Sequence, residues 1–114
     1  MYRSEDANET MTAPSGPAPT LFEAIVRKRC VAATYNRGEV VLAPHAAFMR
    51  HGELHIAAVT VTRDGNPPRE EKVGIFKVDG LGDLRAMDRD FAVSPVFDRG
   101  DERFAGEILL QVED

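Results

Sequence analysis

From Leu54 to Thr62 the chain carries no formal charge and no Gly or Pro, and its side chains alternate between two largely apolar faces. Leu54, Ile56, Ala58 and Thr60 fall on one face of an extended strand; His55, Ala57, Val59 and Val61 fall on the other. Successive strand side chains point to opposite sides, so a run that is apolar on both sides needs cover on both. The β-branched residues Ile56, Val59, Thr60, Val61 and Thr62 favour strand over helix. Turn formers bound the run, with Gly52 before it and Asp64, Gly65, Asn66, Pro67 and Pro68 after it. The expectation is a small β domain with residues 52–62 as its central strand.

With 114 residues, 43% of them hydrophobic, the chain can build one modest core. Its single cysteine, Cys30, cannot form an internal disulfide and reads as a small buried hydrophobe in a reducing compartment rather than a nucleophile. No basic segment leads into an apolar one at the start, and no run of about 18 apolar residues occurs, which predicts no signal peptide, no membrane span and a cytoplasmic location. The net charge of -5 argues against non-specific binding to duplex DNA, whose affinity comes mostly from Lys and Arg on phosphates. It leaves room for a small basic pocket.

Residues 1–20 hold Pro14, Pro17 and Pro19 among polar residues with no apolar periodicity, and read as a disordered N-terminal tail. Residues 21–114 then form a single domain. Thr20 with Glu23 three positions on predicts a capping box that opens a short helix. Leu21, Phe22, Ile25 and Val26 are its apolar stripe, and Glu23 is placed to pair with Arg27. Strands are expected at 30–35, 40–49, 52–62 and 72–79, with turns at 36–39 and 50–53. Gly80 and Gly82 mark a corner, residues 81–87 read as a short strand closing the sheet, and 108–112 as a last strand. Pro44 cannot donate to a ladder and so marks a bend, a bulge or an edge. Phe91, Val93, Val96 and Phe97, with Pro95 among them, predict an irregular segment lying over an apolar edge.

One short helix followed by about five closely spaced strands predicts a mainly β fold, a small SH3/Sm-like β-barrel preceded by one short α-helix. Closure of the sheet would protect its edges. Several residues also stand in a familiar order: Ala24-Ile25, Tyr35, Val40-Val41 through Pro44, Gly52, Leu54-His55-Ile56, then Phe76-Lys77-Val78-Asp79-Gly80-Leu81. With Leu54-His55-Ile56 in place of Trp-Tyr-Leu and Gly80 where Arg is frequent, residues 21–84, and more loosely those to 97, resemble the WYL family of bacterial regulatory domains. The resemblance implies a stand-alone Sm-like barrel that senses a nucleotide or single-stranded nucleic-acid signal in transcription regulation. It also implies the candidate ligand contacts: His55 in the signature strand, Lys77 in the basic position and Tyr35. A cation suits a phosphate, and an imidazole and a phenol suit stacking or hydrogen bonding.

Each candidate has a plainer reading. Tyr35 fits a half-buried position with a wet hydroxyl, Lys77 fits an outward strand position, and His55 fits a satisfied or rim histidine. His45, His51 and His55 lie close in sequence, but no Cys accompanies them and the segment reads as turn and strand, so no metal is expected. No nucleophile elbow, P-loop, dinucleotide fingerprint or Cys pair is present, and the chain reads as non-enzymatic, with no catalytic residue and no cofactor. Asp79, Asp83, Asp88 and Asp90 read as solvated turn residues.

Three functional readings follow. The first is a ligand-sensing or regulatory module that binds a small anionic, nucleotide-like ligand and acts through a regulatory protein partner or a homodimer; it requires His55 and Lys77 to converge. The second is a protein-interaction or oligomerisation module whose ligand site is lost, and it requires an exposed apolar strip. The third is single-stranded nucleic-acid binding, which requires aromatic rings within a positive groove.

Overall fold

The structure, a computed structural model, describes residues 16–104 and 107–113. The described residues form one α-helix, α1 (Pro17–Arg27), two single 3-10 turns (Val78–Gly80 and Glu102–Phe104), and six strands: β1 (Arg29–Tyr35), β2 (Gly38–Arg50), β3 (Glu53–Arg63), β4 (Val73–Lys77), β5 (Gly82–Asp90) and β6 (Glu107–Gln111). All pairings are antiparallel, in the order β4-β3-β2-β1-β5, with β6 on β2. The fold is mainly β, as expected. Among the described residues β4 and β5 do not pair, so the sheet is open and the expected closure is absent. Residues 82–90 do form a strand, but it extends the sheet on β1 rather than closing it.

The helix begins earlier than its polar cap predicts. Thr20 lies inside it, Gly16 occupies the N-cap position without a side-chain cap, and Pro17 opens the first turn. Proline there has no N–H to leave unpaired and its fixed φ suits a helix, so Pro17 and Pro19 extend the helix instead of marking a tail. Residues 17–20 thus leave the expected tail, and residues 1–15 lie outside the described residues. Leu21, Ala24 and Ile25 are buried at i, i+3 and i+4 spacing, while Val26 is 66% exposed and drops out of the expected stripe. Glu23 and Arg27 do pair, at 3.2 Å on an exposed face.

Local backbone chemistry sets the hairpins. Asn36 and Arg37 have φ of 49° and 64°, His51 and Gly52 of 54° and 75°, and Asp64 and Gly65 of 49° and 84°. Two successive left-handed residues are what a two-residue hairpin needs to match strand twist. Each pair sits between facing residues: Tyr35 and Gly38, Arg50 and Glu53, Arg63 and Asn66.

The hub of the sheet is β2, not the expected β3. Its first part pairs with β1 as far as Leu42, its last part pairs with β6 from Ala46 to Met49, and its other edge pairs with β3 along its length. The change of partner falls at Ala43-Pro44-His45. There the β2–β3 register shifts between Pro44 and Ala46, leaving His45 as an extra residue, so Pro44 marks a bulge. Two of the carbonyls of this step are engaged without β1, and Pro44 has no N–H: the Ala43 carbonyl accepts from His45 Nδ1 at 2.8 Å, and the His45 carbonyl accepts from Val112 N–H at 2.8 Å. Leu21, Ile25, Val31, Val40, Leu42, Phe48 and Ile56 form the core around this strand.

Candidate functional site

The three expected ligand contacts do not form one cluster. His55 and Lys77 are facing residues across β3 and β4, so their side chains share one side of the sheet. Phe76, next to Lys77, leaves β4 on the opposite side, and Tyr35 meets it edge-on with ring centres 5.3 Å apart. Tyr35 therefore belongs to the other face. His55 is only 8% exposed; it stacks on Phe48 at 5.6 Å, and its Nδ1 donates to the Glu53 carbonyl at 3.0 Å. The Lys77 ammonium lies 2.8 Å from the Glu53 carboxylate. That hydrogen bond pulls the Glu53 carboxyl below its usual range and pushes Lys77 up, so the cation of the set already has an anion beside it.

A second polar group, unmarked in the sequence, is built around the β2 bulge. His45 is fully buried between the rings of Phe91, at 4.9 Å, and Phe97, at 5.1 Å. With Nδ1–H given to Ala43, its Nε2 accepts the Ser94 backbone N–H at 3.0 Å. The neutral ring is thus held in one tautomer. Ser94 Oγ in turn donates to the Glu71 carboxylate and accepts from Val96 N–H at 3.3 Å. Serine, histidine and an acid are together here, but not in a catalytic order. The histidine nitrogen is engaged by the serine backbone rather than by Oγ, and the ring has no exposed surface for a substrate. The arrangement pins the irregular segment 91–101 to β2. Burial pushes the imidazole below its ordinary value of 6.5, an effect opposed by the Ala43 hydrogen bond and the Glu71 charge and reinforced by Arg99.

Among the described residues no group of three or more His, Cys, Asp or Glu side chains is placed to hold a metal ion. Cys30 is buried, and burial raises its thiol above the ordinary value, which disfavours the thiolate. No helix among the described residues is long and apolar enough to cross a membrane.

A further surface feature lies elsewhere, along β6. An open groove of about 660 Å³ is lined by Arg99 and by the successive residues Ile108 to Glu113. Ile108 and Leu109 are 39% and 43% exposed although adjacent in a strand, and Val26 lies beside a smaller cleft that it shares with Leu110 and Gln111. The cause is a register shift in the β2–β6 pairing: Ala47 faces Leu110 and Phe48 faces Ile108, so Leu109 is an extra residue and the usual alternation fails. The run Ile108-Leu109-Leu110 carried this signal in the sequence, since three consecutive aliphatic residues in a strand leave one face apolar whichever way the strand is turned. A second groove, of about 520 Å³, is lined by Thr60, Arg63, Pro67, Pro68 and Lys72 among others. Neither lining includes an aromatic side chain.

Comparison with protein-family models, with curated proteins and with solved structures finds no match to this chain.

Proposed function

We propose that this chain is a non-enzymatic protein-interaction module, a barrel-like domain of WYL type whose nucleotide site has been lost and whose working surface is the apolar strip on β6. The observation that carries this reading is the adjacent exposure of Ile108 and Leu109 beside an open groove, on a strand edge that has no pairing partner among the described residues. Exposed aliphatic residues on a strand edge are costly for a chain that works alone, because they template unwanted pairing. The order of helix and strands supports the barrel-like description, and the strong bulge in β2 supplies the bend such a domain needs. A photo-reactive residue at position 109, compared with one at 85 on the charged β5 edge, tests the reading in cells producing the full chain. Covalent adducts with protein from 109 and not from 85 are expected; their absence at 109 would overturn it.

The ligand-sensing reading retains one specific support, the facing placement of His55 and Lys77. It predicts that a nucleotide raises the melting temperature in a concentration-dependent way and that Lys77→Ala abolishes the rise.

A further inference from the structure

The segment 91–101 has no regular structure, and its backbone turns on itself: Phe97 N–H donates to the Ser94 carbonyl at 3.1 Å and Asp101 N–H to the Asp98 carbonyl at 3.1 Å. One end is tied to the body of the fold by Phe91 N–H on the Lys28 carbonyl at 2.9 Å, and the other by Arg99 on the Val112 carbonyl at 2.8 Å. Its middle rests on His45. The imidazole accepts the Ser94 N–H and lies between Phe91 and Phe97, the latter also stacked on Phe104 at 5.8 Å. A backbone N–H can only donate, so the bond to Nε2 exists only while that nitrogen is unprotonated. The Ala43 carbonyl can only accept, so the one proton of the neutral ring is already placed on Nδ1.

We infer that segment 91–101 is a proton-operated latch: uptake of one proton at His45 Nε2 breaks the Ser94 bond and lifts the middle of the segment, uncovering the rings of His45 and Phe104. In the closed state a protonated ring would set its Nε2–H against the Ser94 N–H, and the ring is fully buried, so solvent does not satisfy the new donor. The charged groups that act on the ring come from two elements. Glu71, in the loop before β4, favours the imidazolium, and Arg99, in the segment itself, opposes it. The Glu71 carboxylate also accepts from Ser94 Oγ, so it helps hold the closed segment. On the β3 side the bulge is flanked by Ala57 and Ala58, and Val112 presents its backbone N–H, none of them charged. Burial outweighs the Glu71 charge and keeps the closed ring neutral. The closed state therefore takes up this proton less readily than the open one, so closure is complete above about pH 6.5 and weakens as pH falls below it. Arg99 also lines the β6 groove, so release changes that wall, but the latch does not rest on the reading of the groove.

Residue-resolved amide exchange of the full chain between about pH 8 and about pH 5, each rate referred to its intrinsic rate at that pH and joined to an NMR titration of the His45 ring, tests the latch. Protection at Ser94 is expected to fall by up to about tenfold per pH unit below about pH 6.5, while amides of the β2–β3 pairing keep theirs. His45→Gln, which keeps an acceptor for Ser94 without titrating, should show no such fall. Should that variant fail to fold, the wild type decides alone: the ring must take up its proton over the pH range in which Ser94 loses protection. Protection at Ser94 that does not change with pH, or a ring that becomes protonated while Ser94 stays protected, overturns the latch. A fall that persists in His45→Gln overturns it too, as does a loss shared equally by β2 and β3, which would make the proton a trigger of global unfolding.

Discussion

His45 shows how one buried polar side chain can tie two segments of a fold together. Both ring nitrogens are engaged and the ring is fully buried, so protonation would turn an accepted hydrogen bond into two donors facing each other at Ser94. Because the folded-state value lies below the ordinary 6.5, the unfolded chain takes up this proton first. The stabilisation is therefore complete above about pH 6.5 and is lost as pH falls below it, at up to about 1.4 kcal/mol per pH unit. Chemical denaturation at a series of pH values should show this slope in the wild type and a shallower one in His45→Gln, which keeps an acceptor for Ser94 but does not titrate. An equal slope in both would place the pH dependence elsewhere. Gln111 is the opposite case: its Oε1 is buried with no hydrogen-bond partner among the described residues. Gln111→Met keeps the length and removes the orphaned acceptor, and should raise the unfolding free energy by about 1 kcal/mol, read from the denaturation midpoint.

Strand β2 unites most of what the fold does, and it does so by changing partners. Pro44 suits this step because the step requires no N–H, and the bulge at His45 turns the strand so that its two halves meet β1 and β6. Its first hairpin is less well adapted, since Arg37 is held at a φ of 64° where a side chain is strained. Arg37→Gly gives the Asn-Gly pair that such turns prefer and should stabilise the protein by up to about 1 kcal/mol in thermal or chemical unfolding. The strands and turns were legible because period-two alternation and turn residues act locally, and Pro44 announced its own irregularity. The hub was not legible. β3 has the stronger apolar run, but β2 becomes the middle strand because β5 joins the far edge of β1 and β6 joins β2 itself, pairings between segments far apart in the chain that no local pattern crosses. Ser94 and Glu71 were hidden for the same reason. The helix start was missed because Pro17 and Pro19 belong equally well to a loop and to a first turn.

For the molecule as a whole, the open sheet matters more than any single site. Closure would have removed the edges; instead charges guard β4 and β5, while β6 presents aliphatic residues to an open groove. The candidate ligand set was only half legible. Period two correctly placed His55, but the pairing that sets Lys77 opposite it, Glu53 beside Lys77 and Tyr35 on the far face depends on tertiary register. With its cation paired and its third member elsewhere, that set offers an anion less than the β6 strip offers a protein. The most direct test of the strip as the working surface is amide hydrogen exchange of the full chain alone and with the protein that position 109 captures. The account predicts that exchange across Ile108 to Gln111 slows in the presence of that protein while the β5 edge is unchanged. Exchange at β6 that is the same with and without it would contradict the account.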